Sequence, residues 1–255
     1  MILKIGGPMI RFIFVVLFVF LFLVLSTPLM LIEWIIGKFN MPLRDRSSLA
    51  IVNWAFRWVI RISGTKVIVK GEENVPQDTA VLYVGNHRSY FDIILTYVRV
   101  PRPTGYVAKL EMLRYPLLNV WMYFLHCLFL DRSDIKKGLK TILKGVEKAK
   151  SGISICIFPE GTRNKTDQDF LPFKDGSFKI AEKADVPVLP ITMVGTSGIF
   201  EDHMPRIKKQ TVIIEYGRPV DIKSLDKDTR KNLSGYIQGI MSETYHRNLK
   251  ELADL

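Results

Sequence analysis

Residues 12–32 form twenty-one consecutive positions without a charge (F-I-F-V-V-L-F-V-F-L-F-L-V-L-S-T-P-L-M-L-I). About 20 apolar residues are what a helix needs to cross a hydrocarbon core, where every backbone group must find its bond internally. A cleaved signal peptide fits less well, because the run is long for one and no A-x-A-like site follows it. Pro28 predicts a kink whose freed backbone groups need other partners. Lys4 and Arg11 precede the run, and Lys38, Arg44 and Arg46 follow it. With cations on both sides the positive-inside rule sets no orientation, so a full span and a hairpin within one leaflet both fit.

Over residues 47–64, Leu49, Val52, Phe56, Val59 and Ile60 recur at helical spacing, with Trp54, Trp58, Arg57 and Arg61 around them. Tryptophans and cations on an apolar helix suit the headgroup level of a bilayer, and a core helix of the soluble body fits the same pattern. Gly64 reads as the helix stop. The whole chain carries a net charge of +11, and residues 1–64 hold seven basic residues against two acids, Glu33 and Asp45. A basic excess calls for an anionic partner. Its place beside the most apolar segment favours membrane lipid over nucleic acid, for which no recognition motif is present. The two cysteines, Cys127 and Cys156, lie in apolar runs and read as small buried hydrophobes.

Beyond residue 65, short apolar runs alternate with amphipathic stretches. Strands are predicted at 66–69, 80–84, 105–108, 127–130, 153–158, 188–194 and 212–216, and helices at 90–99, 110–124, 134–150, 176–184 and 226–250. The alternation predicts an α/β fold: a mixed central sheet flanked by helices, preceded by an N-terminal membrane-embedded helical segment. Residues 1–64 are then the anchoring helices and 65–255 the α/β domain. In the 134–150 helix, Ile135, Leu139, Ile142, Val146 and Ala149 are expected inward, with Lys136, Lys137, Lys140, Lys144 and Lys148 over the outer surface.

The stretch V-G-N-H-R-S-Y-F-D at 84–92 places Asp92 five positions after His87, at the edge of an apolar run. Its structural reading is a helix start, with Ser89 and Asp92 as a capping-box-like pair. On one continuous helix the two side chains would diverge by about 140°. A strand-to-helix turn instead lets the carboxylate meet Nδ1–H of the imidazole, which fixes the tautomer and frees Nε2 as a base. No G-x-S-x-G elbow exists in the chain, so a hydroxyl activated by His87 would belong to the substrate. In I-F-P-E-G-T-R, residues 157–163, Pro159 ends a strand, Gly161 permits a tight turn, and Arg163 offers a bidentate fork for phosphate. Lys109 and Arg132 also follow predicted strands, and ligands of open α/β sheets collect at the carboxyl ends of strands. His87, Lys109, Arg132 and Arg163 are thus expected on one rim, a base beside three cations. His203 and His246 lie in polar segments and are expected at the surface without partners.

These residues resemble the glycerolipid (lysophospholipid) acyltransferases, most closely the bacterial 1-acyl-sn-glycerol-3-phosphate acyltransferases. Four blocks carry the resemblance: N-H-R-S-Y-F-D (86–92), L-F-L-D-R (128–132), F-P-E-G-T-R (158–163) and V-P-V-L-P-I-T (186–192). G-Y-V-A-K-L-E (105–111) and F-K-D-G-S-F (173–178) add support. The resemblance implies that His87 is the base, Asp92 its orienting partner, and Lys109, Arg132, Glu160, Gly161, Thr162 and Arg163 the substrate-binding set on the acceptor's phosphate side. It implies transfer of a fatty acyl group from acyl-CoA or acyl carrier protein to the sn-2 hydroxyl of lysophosphatidic acid, giving phosphatidic acid. No metal and no cofactor beyond the thioester co-substrate is called for, with backbone N–H groups near Gly161 as oxyanion donors. The implied location is the cell membrane, with the site at its cytoplasmic face. The alternatives are glycerol-3-phosphate or another lysophospholipid as acceptor, or a non-catalytic membrane protein that binds anionic lipid. One departure stands out: the family often has Gly where this chain has His126, a larger side chain expected to narrow or reshape the acceptor pocket.

Overall fold

The computed structural model describes residues 6–255, so the expected flanking Lys4 lies outside the described residues. The apolar run is not a single helix. Helix α1 spans Gly7–Leu25 and α2 spans Thr27–Phe39, with the break at Ser26. Pro28 is the cause: it has no N–H to offer the Val24 carbonyl, and the Thr27 hydroxyl donates to that oxygen instead at 2.7 Å. Ser26 is buried, and the indole N–H of Trp121 donates to its hydroxyl at 3.0 Å. At 19 residues, α1 is long and apolar enough to cross a bilayer. Helix α2 carries Glu33, buried and held by the hydroxyls of Ser47 and Ser48.

Helix α3, Met41–Ser63, opens on Asn40, whose side chain accepts from Leu43 N–H at 3.0 Å, and closes on Gly64 at φ 72°. Leu49, Val52 and Val59 pack into the same core as Leu95, Tyr97 and Tyr216. The core reading of this helix is borne out by that packing. Its outer surface keeps Trp54 and Trp58 exposed, with the Arg61 guanidinium 4.9 Å over the Trp58 ring.

All seven expected strands form: β1 Lys66–Lys70, β2 Leu82–Gly85, β3 Thr104–Lys109, β4 Leu128–Leu130, β5 Ser154–Ile157, β6 Val188–Val194 and β7 Thr211–Tyr216. They make one sheet in the order β1-β7-β6-β2-β5-β3-β4, parallel throughout except for β6 against β7. Strands β2, β5 and β6 are buried along their whole length, which is why their sequences run apolar without alternation. Helices α4 (Phe91–Tyr97) and α5 (Leu118–Phe124) join α3 on one face of the sheet. On the other face lie α6 (Ile135–Lys150), α7 (Lys179–Ala184) and α9 (Leu233–Ala253), the last preceded by the short α8 (Lys227–Lys231). The connection after β2 runs over one face and that after β5 over the other, so the crevice between their carboxyl ends is a topological switch point.

Four expected helices differ from the sequence reading, the 176–184 stretch by opening as a 3₁₀ turn at Asp175–Phe178 before α7. The 110–124 stretch divides into a 3₁₀ turn at Leu110–Arg114 and α5, because Pro116 interrupts the helix and Leu117 takes φ 64°. The 226–250 stretch divides at Asn232, whose backbone is not helical. In α6 only the later part of the apolar stripe is inward: Ile135 is 90% exposed and Leu139 55%, while Val146 and Ala149 are buried. Strand β4 has only three residues, about 10 Å, and cannot cover a helix of about 24 Å.

Candidate active site

The loop after β2 is built around a glycine. A side chain at Gly85 would stand 2.9 Å from the ring of Phe158, so only glycine lets that ring approach. Next, the Asn86 carboxamide donates to the Met193 carbonyl at 2.9 Å and accepts from Met193 N–H at 2.8 Å, tying the loop to β6 as a further strand residue would. His87 follows, and both its backbone groups are held by the loop after β5. Its N–H donates to Glu160 Oε1 at 2.7 Å, and its carbonyl accepts from Asn164 N–H at 2.7 Å. The imidazole stacks on Phe158 with centroids 4.3 Å apart.

Asp92, fully buried in the first turn of α4, meets His87 Nδ1 through Oδ2 at 2.9 Å. The same oxygen accepts the N–H groups of Arg88 and Ser89, each at 2.7 Å. One carboxylate thus both braces the start of α4 and makes the imidazole contact that the proton-transfer reading requires. A carboxylate on Nδ1 makes that the protonated nitrogen and leaves the Nε2 lone pair to face outward. The His87 side chain is 15% exposed, and Nε2 has no hydrogen-bond partner among the described residues.

Residues 158–164 bring the second half of the site. Gly161 takes φ 73° and its N–H closes a tight turn onto the Phe158 carbonyl at 2.9 Å, leaving the N–H groups of Thr162 and Arg163 without partners among the described residues. The Lys174 side chain fills the space that a Cβ at 161 would need, its ammonium 2.7 Å from that point. Glu160 points inward. Burial pushes its carboxyl above the usual range, against the pull of the Leu171 and His87 N–H groups that donate to its two oxygens. It braces the His87 loop, with each oxygen already accepting a backbone N–H. Arg163 bonds Glu201 Oε1 at 3.1 Å and lies 3.7 Å over the Tyr90 ring.

Lys109 and Arg132 end β3 and β4 on the same rim, exposed, and make no bond to the residues around His87 among the described residues. At the usual spacing between neighbouring strands, their strands lie about 10 and 14 Å from β2. The structure thus gathers His87, Asp92, Gly161, Thr162 and Arg163 closely and sets the two other cations further along the rim. Phe158, Asn164, Lys174 and Glu201 join the site without having been singled out from sequence. Phe158 and Lys174 lie inside the quoted blocks, whereas nothing in the sequence marks Glu201.

His126 departs from expectation. It precedes β4 where Arg132 follows it, so it sits at the opposite end of the strand from the rim and does not narrow the site. Its backbone is at φ 61°, and its carbonyl comes so near Gly105 that a Cβ there would be 2.3 Å away. The ring is buried between Asp45, 2.8 Å from Nε2, and the Lys148 ammonium, 3.0 Å from Nδ1. Burial pushes the Asp45 carboxyl up, but His126 and Arg44 together outweigh it and hold it below its ordinary value. His246, expected without a partner, bonds Asp169 at 2.7 Å through Nε2.

Comparison with known proteins follows the same residues. The family model described as Acyltransferase matches residues 66–194. A 1-acyl-sn-glycerol-3-phosphate acyltransferase of Borreliella burgdorferi is 31% identical over 177 residues, covering 69% of this chain and 70% of that protein. The protein of that name from Escherichia coli is 29% identical over 212 residues, 83% of this chain and 85% of its own. Among solved structures, the 1-acyl-sn-glycerophosphate (LPA) acyltransferase PlsC from Thermotoga maritima shares the fold with a TM-score of 0.80. It is 23% identical and covers 94% of this chain and 96% of its own.

Proposed function

The chain belongs to the Acyltransferase family, and we propose that it acylates the sn-2 hydroxyl of 1-acyl-sn-glycerol 3-phosphate to give phosphatidic acid, with His87 as the base. The observation that carries this reading is the His87 Nδ1–Asp92 bond at 2.9 Å, which leaves Nε2 free on the rim beside the Arg163 loop. Nε2 takes the proton of the acceptor hydroxyl as its oxygen attacks the thioester carbonyl. The tetrahedral oxyanion is met by backbone N–H groups, for which those of Thr162 and Arg163 are available. As the C–S bond breaks, the imidazolium returns its proton to the leaving thiolate, and the thiol of coenzyme A or acyl carrier protein departs. Asp92 stabilises the imidazolium while it lasts. Arg163 and Lys174 hold the acceptor phosphate, with Lys109 and Arg132 extending the positive rim.

Helix α1 associates the enzyme with a membrane, where both the lipid acceptor and the product reside. Residues 1–64 serve as the anchor and 65–255 carry the chemistry, a division of task rather than of folding, since α3 lies in the core of the sheet. The site faces the cytoplasm, where thioester donors are kept. The test is thiol release by purified protein offered acyl-CoA with lysophosphatidic acid, glycerol-3-phosphate or lysophosphatidylcholine. A phosphate monoester carries nearly two negative charges, whereas the choline cation would be repelled by the rim. The expected result is a marked preference for lysophosphatidic acid. Equal rates on the two lysolipids, or preference for glycerol-3-phosphate, would overturn the acceptor.

A further inference from the structure

Glu201 lies in the connection between β6 and β7, outside the four sequence blocks, yet it touches both halves of the site. Its Oε2 accepts the Ser89 hydroxyl at 2.6 Å, and its Oε1 accepts Tyr90 N–H at 2.7 Å and Arg163 Nη1 at 3.1 Å. The carboxylate is 12% exposed, and the Arg163 side chain 19%. The guanidinium is thereby fixed twice, at Nη1 by Glu201 and on its face by the Tyr90 ring 3.7 Å away. Its remaining N–H groups have no partner among the described residues. The connection bearing Glu201 is in turn seated by α1. Phe200 stacks on Phe12 with centroids 5.7 Å apart and planes 9° from parallel, and Ile207 N–H donates to the Pro8 carbonyl at 3.0 Å.

We propose that Glu201 is a positioning residue for the acceptor: it sets the Arg163 fork for the phosphate, and the membrane helix α1 holds it in place through Phe200. This rests on the reading of Arg163 as the phosphate contact. A planar guanidinium bonded at one nitrogen and stacked on a ring keeps its other N–H groups in a defined plane, so a phosphate meets a fork that is already formed. Loss of the Glu201 contact frees a long side chain, whose ordering must then accompany acceptor binding. The anchor and the acceptor site become one mechanical unit, running Phe12, Phe200, Glu201, Arg163.

Glutamine at 201 keeps the size but offers one acceptor oxygen to three donors, whereas aspartate keeps the charge on a shorter stem. Initial rates in mixed micelles, varying lysophosphatidic acid and acyl-CoA separately, test the proposal on the full chain. Glu201→Gln is expected to raise the acceptor KM by about tenfold to a hundredfold, the range for losing one charge-assisted hydrogen bond. The donor KM and kcat should stay within about threefold, a split that general destabilisation does not produce. Glu201→Asp should recover part of the acceptor KM, and Phe200→Ala should raise it in the same sense. In an Arg163→Ala background, Glu201→Gln should add nothing, because both changes remove the same fork. Unchanged acceptor KM in Glu201→Gln, or losses that multiply in the double variant, would overturn the proposal while leaving the reaction intact. A wild-type enzyme that does not acylate lysophosphatidic acid would overturn the functional reading itself.

Discussion

Asp92→Asn separates the two tasks that one oxygen performs. In the native site Oδ2 faces three donors: His87 Nδ1, and the N–H groups of Arg88 and Ser89. An amide nitrogen turned that way would meet all of them, so the asparagine oxygen stays in place and the His87 tautomer survives. What disappears is the negative charge beside the imidazolium. With charge centres about 4 Å apart and an effective dielectric of about 20, that interaction is worth roughly 4 kcal/mol. A loss of that size in the transition state is about 10³ in kcat. It is smaller than the roughly 10⁴ known where the tautomer is also mis-set in a serine-protease triad. The assay is steady-state thiol release at saturating acceptor, with circular dichroism and thermal unfolding on the same preparations. The acceptor KM should be unchanged, because Asp92 is buried behind His87. A kcat within tenfold of wild type in folded Asp92→Asn protein would refute the assignment of Asp92 as the imidazolium's partner.

Arg163→Ala should damage acceptor use by about 2–4 kcal/mol in kcat/KM, as for a charged contact at a partly buried site, and leave donor saturation alone. Deleting residues up to 40 should lower partition into membranes and leave a body that still carries α3. Deleting residues 1–64 should abolish folding, since it strips Leu49, Val52 and Val59 from the core, at about 1.5–3 kcal/mol each against a typical total stability of about 5–15 kcal/mol. Thermal unfolding of the two truncated proteins distinguishes these outcomes. Asp45→Asn should cost stability near neutral pH, and its deficit against wild type should shrink as pH falls below about 4. The sign follows from a folded carboxyl held below its unfolded value: its stabilisation is present above the unfolded pKa and is lost as pH falls through the folded one.

Much of this architecture is legible in the sequence because it depends on local pattern. The buried strands are short apolar runs, and the ligand rim follows from their carboxyl ends, so Lys109, Arg132 and Arg163 could be assigned to the same rim as His87, although only Arg163 lies in the loop against it. The His87–Asp92 pair was legible because the turn expected between strand and helix can fold residues five apart together, where a continuous helix would splay them. What was not legible depends on partners distant in the chain. The inward role of Glu160 requires Leu171 and the His87 backbone, and the destination of His126 requires Asp45 and Lys148. The exposure of Ile135 and Leu139 depends on the shortness of β4, which no property of α6 announces. Glu201 joins three groups more than thirty residues away, and a single acidic residue in a loop carries no sequence signal of that kind.

The central claim is that His87 takes the proton from the lipid hydroxyl. Its most direct test compares wild type with His87→Ala in the same micelles, following phosphatidic acid formation from lysophosphatidic acid and acyl-CoA by mass. Circular dichroism and membrane partition serve as controls for folding. The loop is held through the His87 backbone by Glu160 and Asn164, so the variant should fold and bind membranes as wild type does. It should lose nearly all turnover, keeping only the residual rate that substrate binding and the backbone oxyanion donors supply without a base. Folded His87→Ala protein turning over near the wild-type rate would contradict the account.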